Sequence, residues 1–449
     1  MGEPLDSLHA GAAVADITPT TPQFLYGYPF VPRISTGVHD PLLASALYLA
    51  HPKARVLFVA ADVIFVSKQI TRRVRQRIEA TTGIPAGHIM VTATHTHSGP
   101  VTVRCLSNED DPVVPPPDEN YLKHLEDGIV EAAVAAVANA RPAELGLAIA
   151  DGSAVGTNRH DPAGPRDPEV PVLIARDRAG SCIGLMLVCS MHPTVLHEDS
   201  TLVSGDFPAM ARQYLQRHVV GADCPVVYHT GAAGNQSPRH VIAANTFAEA
   251  ERLGTALGRA VEEAIAQARA CADPVIAAAR TEVDLPLRSF PRVPEAMAKA
   301  KAARERLDQL RLESAPRATF RTAECDWFGA TELLTLARAA AAGRLPEVLA
   351  TCLPAEIQVI WIGPWRLVAW PGEAFVEFAL EVKSRSPGAF VITLANGELQ
   401  SYLVTQAAVA EGRYEASNAL FASPESGQRL VRATLDLIER AGPSSNVPT

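Results

Sequence analysis

His88-Ile-Met-Val-Thr-Ala-Thr-His-Thr-His-Ser-Gly-Pro100 is the stretch from which the rest of the chain is read. A short apolar run ends in two histidines one residue apart, and a Ser-Gly-Pro turn follows. Side chains at i and i+2 of a strand share a face, so His95 and His97 are expected to converge on one point just past a strand end. Imidazole is both the commonest metal ligand and the commonest proton carrier near neutral pH. Upstream, Arg55-Val-Leu-Phe-Val-Ala-Ala-Asp-Val-Ile-Phe-Val66 is a continuous apolar run, the mark of a strand buried on both faces. Ile70, Val74 and Ile78 recur among arginines with helical spacing. Residues 55–94 therefore read as one βαβ unit with both strands parallel.

Working outward, strands and helices alternate. Helices are expected over Tyr121–Ala140, Phe207–His218 and Phe247–Ala270, and strands over Glu144–Ala150 and Pro225–Thr230. Hairpins are expected from Pro171–Asp177 with Cys182–Met191, and from Ile357–Ile362 with Arg366–Trp370. A last βα pair runs from Phe390 to about Ala441, and residues 294–345 carry helical patterns. The expected class is α/β, mixed β-sheets flanked by helices, in a single domain over residues 1–441. Within it, 294–345 reads as a helical insertion, and Gly442–Thr449 reads as a disordered tail.

Composition excludes several functions. With 449 residues there is ample chain for a large core, and 47% hydrophobic with 20% charged residues is ordinary for a globular protein. A net charge of −9 argues against nucleic acid as a partner. No run approaches the roughly 20 apolar residues of a membrane span. The opening Met-Gly-Glu-Pro-Leu-Asp-Ser lacks a basic n-region and an apolar h-region. The seven cysteines are scattered without a Cys-X-X-Cys. Together these lead us to expect a reduced, cytoplasmic protein acting on a small molecule; whether it forms a homo-oligomer stays open.

Several chemistry-bearing residues follow strand ends: His95 and His97, His192, Asn235 and Ser237, and Glu373. In α/β sheets ligands bind outside the carboxyl ends of strands. His95, His192 and Glu373 would give a metal two nitrogens and a carboxylate from separate elements, with a position left open. Glu373 has a second reading as a cap of a helix over Ala374–Lys383. His197 and Glu198 read as solvated loop residues. Val101–Asn120, with its acidic run and Pro-Pro-Pro, reads as a lid. Its Arg104 would either pair a substrate carboxylate or face solvent. Tyr26-Gly-Tyr-Pro-Phe30 and Trp327-Phe328 are candidate apolar walls.

The motifs Asp16-Ile-Thr-Pro, Thr94-His-Thr-His-Ser-Gly-Pro, Asn158-Arg159, Met191-His-Pro-Thr, Ser204-Gly-Asp-Phe, Gly234-Asn-Gln-Ser-Pro, Pro371-Gly-Glu and Tyr402…Tyr414-Glu occur in this order over residues 11–421. This ordered set resembles the catalytic domain of the neutral ceramidases, zinc-dependent amidases that cleave the N-acyl bond of ceramide. The resemblance implies a Zn2+ ion held by His95, His192, Glu373 and Tyr402. It implies substrate polarisation and proton handling by His97, Arg159 and Tyr414, and places the family's serine at Ser237. The chain departs from the family in lacking an export signal and a C-terminal immunoglobulin-like domain, and in having Gly234-Asn235 where the family has Gly-Asp. These departures favour a small, soluble amide over ceramide.

The leading expectation is thus a zinc-dependent amidohydrolase. An esterase, lactonase or cyclic amidase using the same site, a true ceramidase, and a non-catalytic metal-binding protein are the alternatives. A Ser-His-Asp hydrolase is disfavoured because Ser237 lacks the Gly-X-Ser-X-Gly elbow. A metallo-β-lactamase would place an aspartate where Gly99 and Pro100 stand.

Overall fold

The alternation of Val56, Phe58 and Ala60 with Leu57, Val59 and Ala61 sends one set of side chains to each face of the strand Ala54–Ala61. Both sets are buried, so a layer must cover each face. In the computed structural model, which describes residues 7–52, 54–271 and 274–443, a second sheet covers one face and helices cover the other. The helix Lys68–Thr82 starts at Ser67, whose side chain accepts the Ile70 amide, and stops at Gly83 in the left-handed conformation. It returns the chain so that Ile89–Ala93 pairs with Ala54–Ala61 in parallel, as the sequence predicts.

The larger sheet has nine strands. Its order is Val226–Thr230, Cys182–Cys189, Glu169–Asp177, Arg141–Asp151, His9–Asp16, Leu43–His51, Ala54–Ala61, Ile89–Ala93, with Arg269–Cys271 added beside Arg141–Asp151. A four-stranded sheet, Ile276–Val283, Ala355–Ile362, Trp365–Ala369 and Ala389–Ile392, packs against it. Phe58, Met90, Met186 and Val227 from the first sheet meet Ile360, Leu367 and Phe390 from the second. Helices Lys68–Thr82 and Glu119–Ala138 cover one outer flank, Asp206–Leu215 and Phe247–Ile265 another, and Val376–Arg385 with Pro424–Ala441 the back of the smaller sheet. The mixed, helix-flanked sheets are the expected class, and the described residues contain no immunoglobulin-like sandwich. No described helix is long and apolar enough to cross a membrane.

The two end strands of the larger sheet come together. Thr92 Oγ1 lies 2.8 Å from His229 Nδ1, and Thr230 Oγ1 donates to the Thr94 carbonyl at 2.8 Å. Thr393, just beyond the strand Ala389–Ile392, donates its amide to Thr230 O at 2.9 Å. The carboxyl ends of Ile89–Ala93, Val226–Thr230 and Ala389–Ile392 are thereby tied into one rim. Cys182–Cys189 runs parallel to Val226–Thr230, and Trp365–Ala369 runs parallel to Ala389–Ile392, so their carboxyl ends point the same way.

Some boundaries differ from the sequence reading. The strand from Arg55 stops at Ala61 rather than Val66, because Asp62 turns away to pair with Arg212. The long alanine-rich helix ends at Ile265, and Arg269–Cys271 becomes a strand. That run carries no glycine or proline stop, so only its pairing with Leu145–Leu147 terminates the helix. His9–Asp16, Leu43–His51 and Ile276–Val283 are strands dense in alanine, whose weak β-propensity gives little local signal. Of the expected disordered tail, residues 444–449 lie outside the described residues.

Candidate metal centre and active site

His95 does not follow strand alternation. The strand ends at Ala93, and His95 takes the left-handed backbone conformation at φ 70°, rare for a residue with a Cβ. It is held there by hydrogen bonds from Thr94 N to Ala61 O and from His95 N to Val63 O, both 2.9 Å. Its Nδ1 lies 2.9 Å from the Ile64 carbonyl. The turn sets the His95 and His97 rings almost perpendicular, at 88°. The His97 carbonyl accepts from Arg33 Nη1 at 2.7 Å, and its ring rests against Tyr28, centroids 5.3 Å apart. Gly27, at φ 127°, allows this approach; a Cβ there would lie 2.5 Å from His97 Cγ.

His192 follows the strand Cys182–Cys189, and its Nδ1 lies 2.6 Å from the Ala233 carbonyl. Glu373 follows Trp370-Pro-Gly, with Gly372 at φ 76°. It sits in a two-residue parallel ladder with Tyr402–Leu403, directly opposite Tyr402. The helix after it begins only at Val376, so Glu373 is not its cap. His95 Nε2 lies 3.1 Å from both His192 Nε2 and Glu373 Oε2, and His192 Nε2 lies 3.2 Å from Glu373 Oε2. All three residues are buried.

This convergence has a chemical meaning. A carbonyl only accepts, so each Nδ1 facing one carries the ring proton and each Nε2 presents a lone pair. Burial moves His192 down to about 4, which keeps its ring neutral. Burial alone would raise the Glu373 carboxyl, but the His95 and His192 rings hold it well below its ordinary range. With each Nδ1 turned to a carbonyl, both Nε2 atoms and a Glu373 oxygen are turned to one point. In the neutral rings those Nε2 atoms are lone-pair donors, and backbone-anchored Nδ1 atoms are the usual support of metal-binding imidazoles. The donor set fits a divalent metal ion.

The expected division between the paired histidines is less sharp than the sequence reading made it. His97 Nε2 is 3.5 Å from His95 Nε2, and the ring nitrogens of His95, His97 and His192 lie within 4.8 Å of one another. His97 Nδ1 is buried without a hydrogen-bond partner. Tyr402 is placed by its ladder with Glu373, and its ring lies 5.3 Å from the Arg159 guanidinium and 6.3 Å from the Tyr414 ring. Burial, followed by the Glu373 charge, raises its phenol well above the ordinary range.

Arg159 forms a buried ion pair with Glu415, whose carboxylate also lies 3.0 Å from His160 Nε2. Burial opposes ionisation of Glu415, yet Arg159 and His160 bring it down to about 2. Tyr414 opens the short helix Tyr414–Asn418 and shares hydrogen-bonding contact with Glu332. Asn108 and Asn418 donate to the two Glu332 oxygens at 2.7 and 3.2 Å, while burial pushes that carboxyl up to about 8. Ser237 pairs in a short ladder with Thr157, and its Oγ accepts the Arg239 amide at 3.2 Å, capping the turn Pro238–His240.

The expected insertion is a helical hairpin, Val293–Leu312 and Arg317–Ala341, and it reaches the site. Phe30 packs on Trp327 and Phe328 at 5.2 and 5.8 Å, so the two candidate walls meet. The segment after His97 is docked rather than free. Val101, Thr102, Val103, Cys105, Leu106 and Asp111 are buried, and Asp110 binds Arg338 at 2.9 Å. Arg104 is exposed, 3.7 Å from Glu109. His197 and Glu198 are half-buried and paired with each other rather than solvated; Glu198 lies 2.9 Å from Arg321. In the sequence Glu415 stands out only as the residue after Tyr414. Glu332 and Arg321 carry no local signal, being ordinary members of a charged helix.

A family model described as neutral/alkaline non-lysosomal ceramidase, N-terminal, matches residues 8–251. That segment holds His95, His97, Arg159, His192 and Ser237. The chain is 26% identical over 241 residues to a neutral ceramidase of Mycobacterium tuberculosis, covering 48% of this chain and 37% of that protein. It is 25% identical over 234 residues to a neutral ceramidase of Oryza sativa subsp. japonica, covering 46% and 28%. The matches span only 28 to 37% of these relatives' length. The fold is shared with the crystal structure of neutral ceramidase from Pseudomonas aeruginosa at TM-score 0.72 and 21% identity, over 97% of this chain and 75% of that one. With more than half of its length matched, the chain belongs to the neutral/alkaline non-lysosomal ceramidase family.

Proposed function

We propose that this protein is a zinc-dependent amidohydrolase that cleaves the C–N bond of a small, soluble N-acyl substrate. One observation carries the reading: His95 Nε2, His192 Nε2 and Glu373 Oε2 converge within 3.2 Å, with both Nδ1 atoms turned to backbone carbonyls. These three residues would hold the ion, with Tyr402 as the fourth ligand. When bound, zinc supplies an acidified water and a Lewis acid for the substrate carbonyl.

The chain's own groups do the rest. His97, buried beside the cluster with an unpartnered Nδ1, takes up the proton released on attack and returns it to the departing nitrogen. An amide nitrogen leaves poorly until it is protonated, so this step separates catalysis from mere binding. The Tyr414 hydroxyl donates to the carbonyl oxygen as negative charge develops there. Arg159, pinned by Glu415, packs over the Tyr402 ring and holds the substrate side of the site. Ser237 acts by positioning: its strand pairs with Thr157–Asn158 and sets where Arg159 begins.

Ceramide itself is the second reading, favoured by the names of the relatives. Both are tested together. Purified protein should carry about one zinc per chain, lose hydrolysis on chelation and regain it with zinc. A panel of N-acyl amino acids, N-acylethanolamines and a short-chain ceramide, with His95→Ala as control, ranks the substrates. Undiminished hydrolysis by metal-free protein would sink the reading, and a preference for ceramide over every other amide would replace the substrate.

A further inference from the structure

Three arginines from distant parts of the chain gather on one side of the site. Arg159 follows the short strand Thr157–Asn158, Arg239 lies in the turn Pro238–His240, and Arg321 is on the helix Arg317–Ala341. The Cys325 thiol, one helical turn beyond Arg321, lies within electrostatic reach of all three guanidinium groups. Two of the three reach the rings that border the catalytic cluster. Arg159 sits over the Tyr402 ring, and Arg321 lies 6.0 Å from the Tyr28 ring, which packs on His97.

The three differ in how they are satisfied. Arg159 is paired with Glu415, and Arg321 with Glu198 and Glu324. Arg159 is further engaged by the Tyr402 hydroxyl, whereas Arg321 Nε is buried without a hydrogen-bond partner. Buried guanidinium donors normally find acceptors, so this unfilled donor marks a place where one is missing. Arg239 is exposed, and among the described residues its side chain has no ion-pair or hydrogen-bond partner. Its backbone is nevertheless fixed, by the Ser237 cap and by His240 Nε2 lying 3.3 Å from the Arg159 carbonyl. A cation with an anchored backbone, held beside two like charges without a counter-ion of its own, is arranged for an anion that arrives from outside.

We infer that Arg239, backed by Arg159 and Arg321, binds a carboxylate carried by the amide substrate. This rests on the amidohydrolase reading for the reaction, though not for the binding. It moves the carboxylate-reading role from Arg104, which is exposed and directed at Glu109, to the turn after Ser237. The reaction is R–CO–NH–R′ plus water giving R–COO⁻ and R′–NH3⁺, and the carboxylate lies on R′ or on R. A neutral lipid amide would leave the arginine donors unfilled.

The test uses the zinc-loaded protein and three amides of similar length. N-hexanoylglycine carries the carboxylate on the amine half, N-hexylsuccinamic acid carries it on the acyl half, and N-hexanoylethanolamine is neutral. Wild-type protein should prefer one of the two acids over the neutral amide in kcat/KM. Arg239→Gln should lower kcat/KM for that acid by about 10- to 100-fold through KM, Arg239→Lys should restore part of it, and the neutral amide should be unaffected. Binding is measured separately by titration calorimetry with N-hexanoylglycine and N-hexylsuccinamic acid. Wild type and Arg239→Gln share the same metal centre, so carboxylate coordination to the ion cancels between them. Equal affinity of the two proteins for both acids, with unchanged melting temperatures, overturns the inference even where hydrolysis proceeds. If none of the three amides is cleaved, the amidase reading fails while the calorimetry still decides the role of Arg239.

Discussion

Glu373 and Tyr402 stand opposite each other in a two-residue parallel ladder, so the backbone that delivers the carboxylate to the histidine cluster also delivers the phenol. Tyr402 is therefore held by main-chain pairing and by the Arg159 guanidinium, which lies over its ring and also reaches its hydroxyl. Tyr402→Phe should leave the melting temperature within a few degrees of wild type and weaken zinc binding by roughly 10-fold or more. Competition with a chelating dye reads this directly. Unchanged zinc affinity would remove Tyr402 from the ligand set.

Gly27→Ala separates the position of His97 from its chemistry. At φ 127° the backbone already disfavours a side chain, and the new Cβ would collide with the His97 ring. The ring must shift by a large fraction of an ångström, and displacements of about that size cost on the order of 100-fold in rate. The expected result is a kcat reduced by about that factor with zinc content unchanged. Equal kcat in both proteins would show that His97 carries no proton in the rate-limiting step.

Glu332 links pH to stability. Its carboxyl has an ordinary value of 4.5 and is pushed up to about 8 by burial. Between these values the folded protein keeps a proton that the unfolded chain releases, so this group's contribution is full below about 4.5 and is lost as pH rises through about 8. Glu332→Gln cannot ionise and should have a flatter profile over that window. Chemical denaturation at several pH values checks it. Parallel profiles for the two proteins would place Glu332 ionised in the fold.

Glu415 acts in the opposite direction. Held at about 2 against an ordinary 4.5, it contributes stability above 4.5 that is lost as pH falls towards 2. Glu415→Gln leaves Arg159 buried and uncompensated, which typically costs about 3–5 kcal/mol. Urea unfolding at neutral pH should show a loss of that order. Removing both charges, with Arg159→Met in the same chain, should recover part of it.

Much of the site was legible because it is built at strand ends. His95, His192 and Glu373 each follow an apolar run with a turn signal behind it, and the parallel pairing of those runs brings their carboxyl ends to one rim. The helical hairpin was legible as helices and not as part of the site. Glu332 and Arg321 look like any solvated residues of a charged helix. Their burial depends on Asn108, Asn418 and Glu198, which approach from segments far away in the chain. The docking of the segment after His97 was hidden for the same reason, since its acidic residues are neutralised by Arg338 of the hairpin and by Arg344 just beyond it.

By itself the sequence determined the alternation of strands and helices, the residue types of the candidate metal centre and the family pattern, because period, turn chemistry and ordered motifs are local properties. Only the tertiary structure decided that the His95 backbone turns left-handed, that two ring nitrogens and a carboxylate oxygen meet at one point, and that Arg239 stands beside two further arginines without a partner of its own. Those are relations between groups up to 278 residues apart, set by how the ends of the larger sheet close on the smaller one. Distance along the chain carries no information about them until the core is packed.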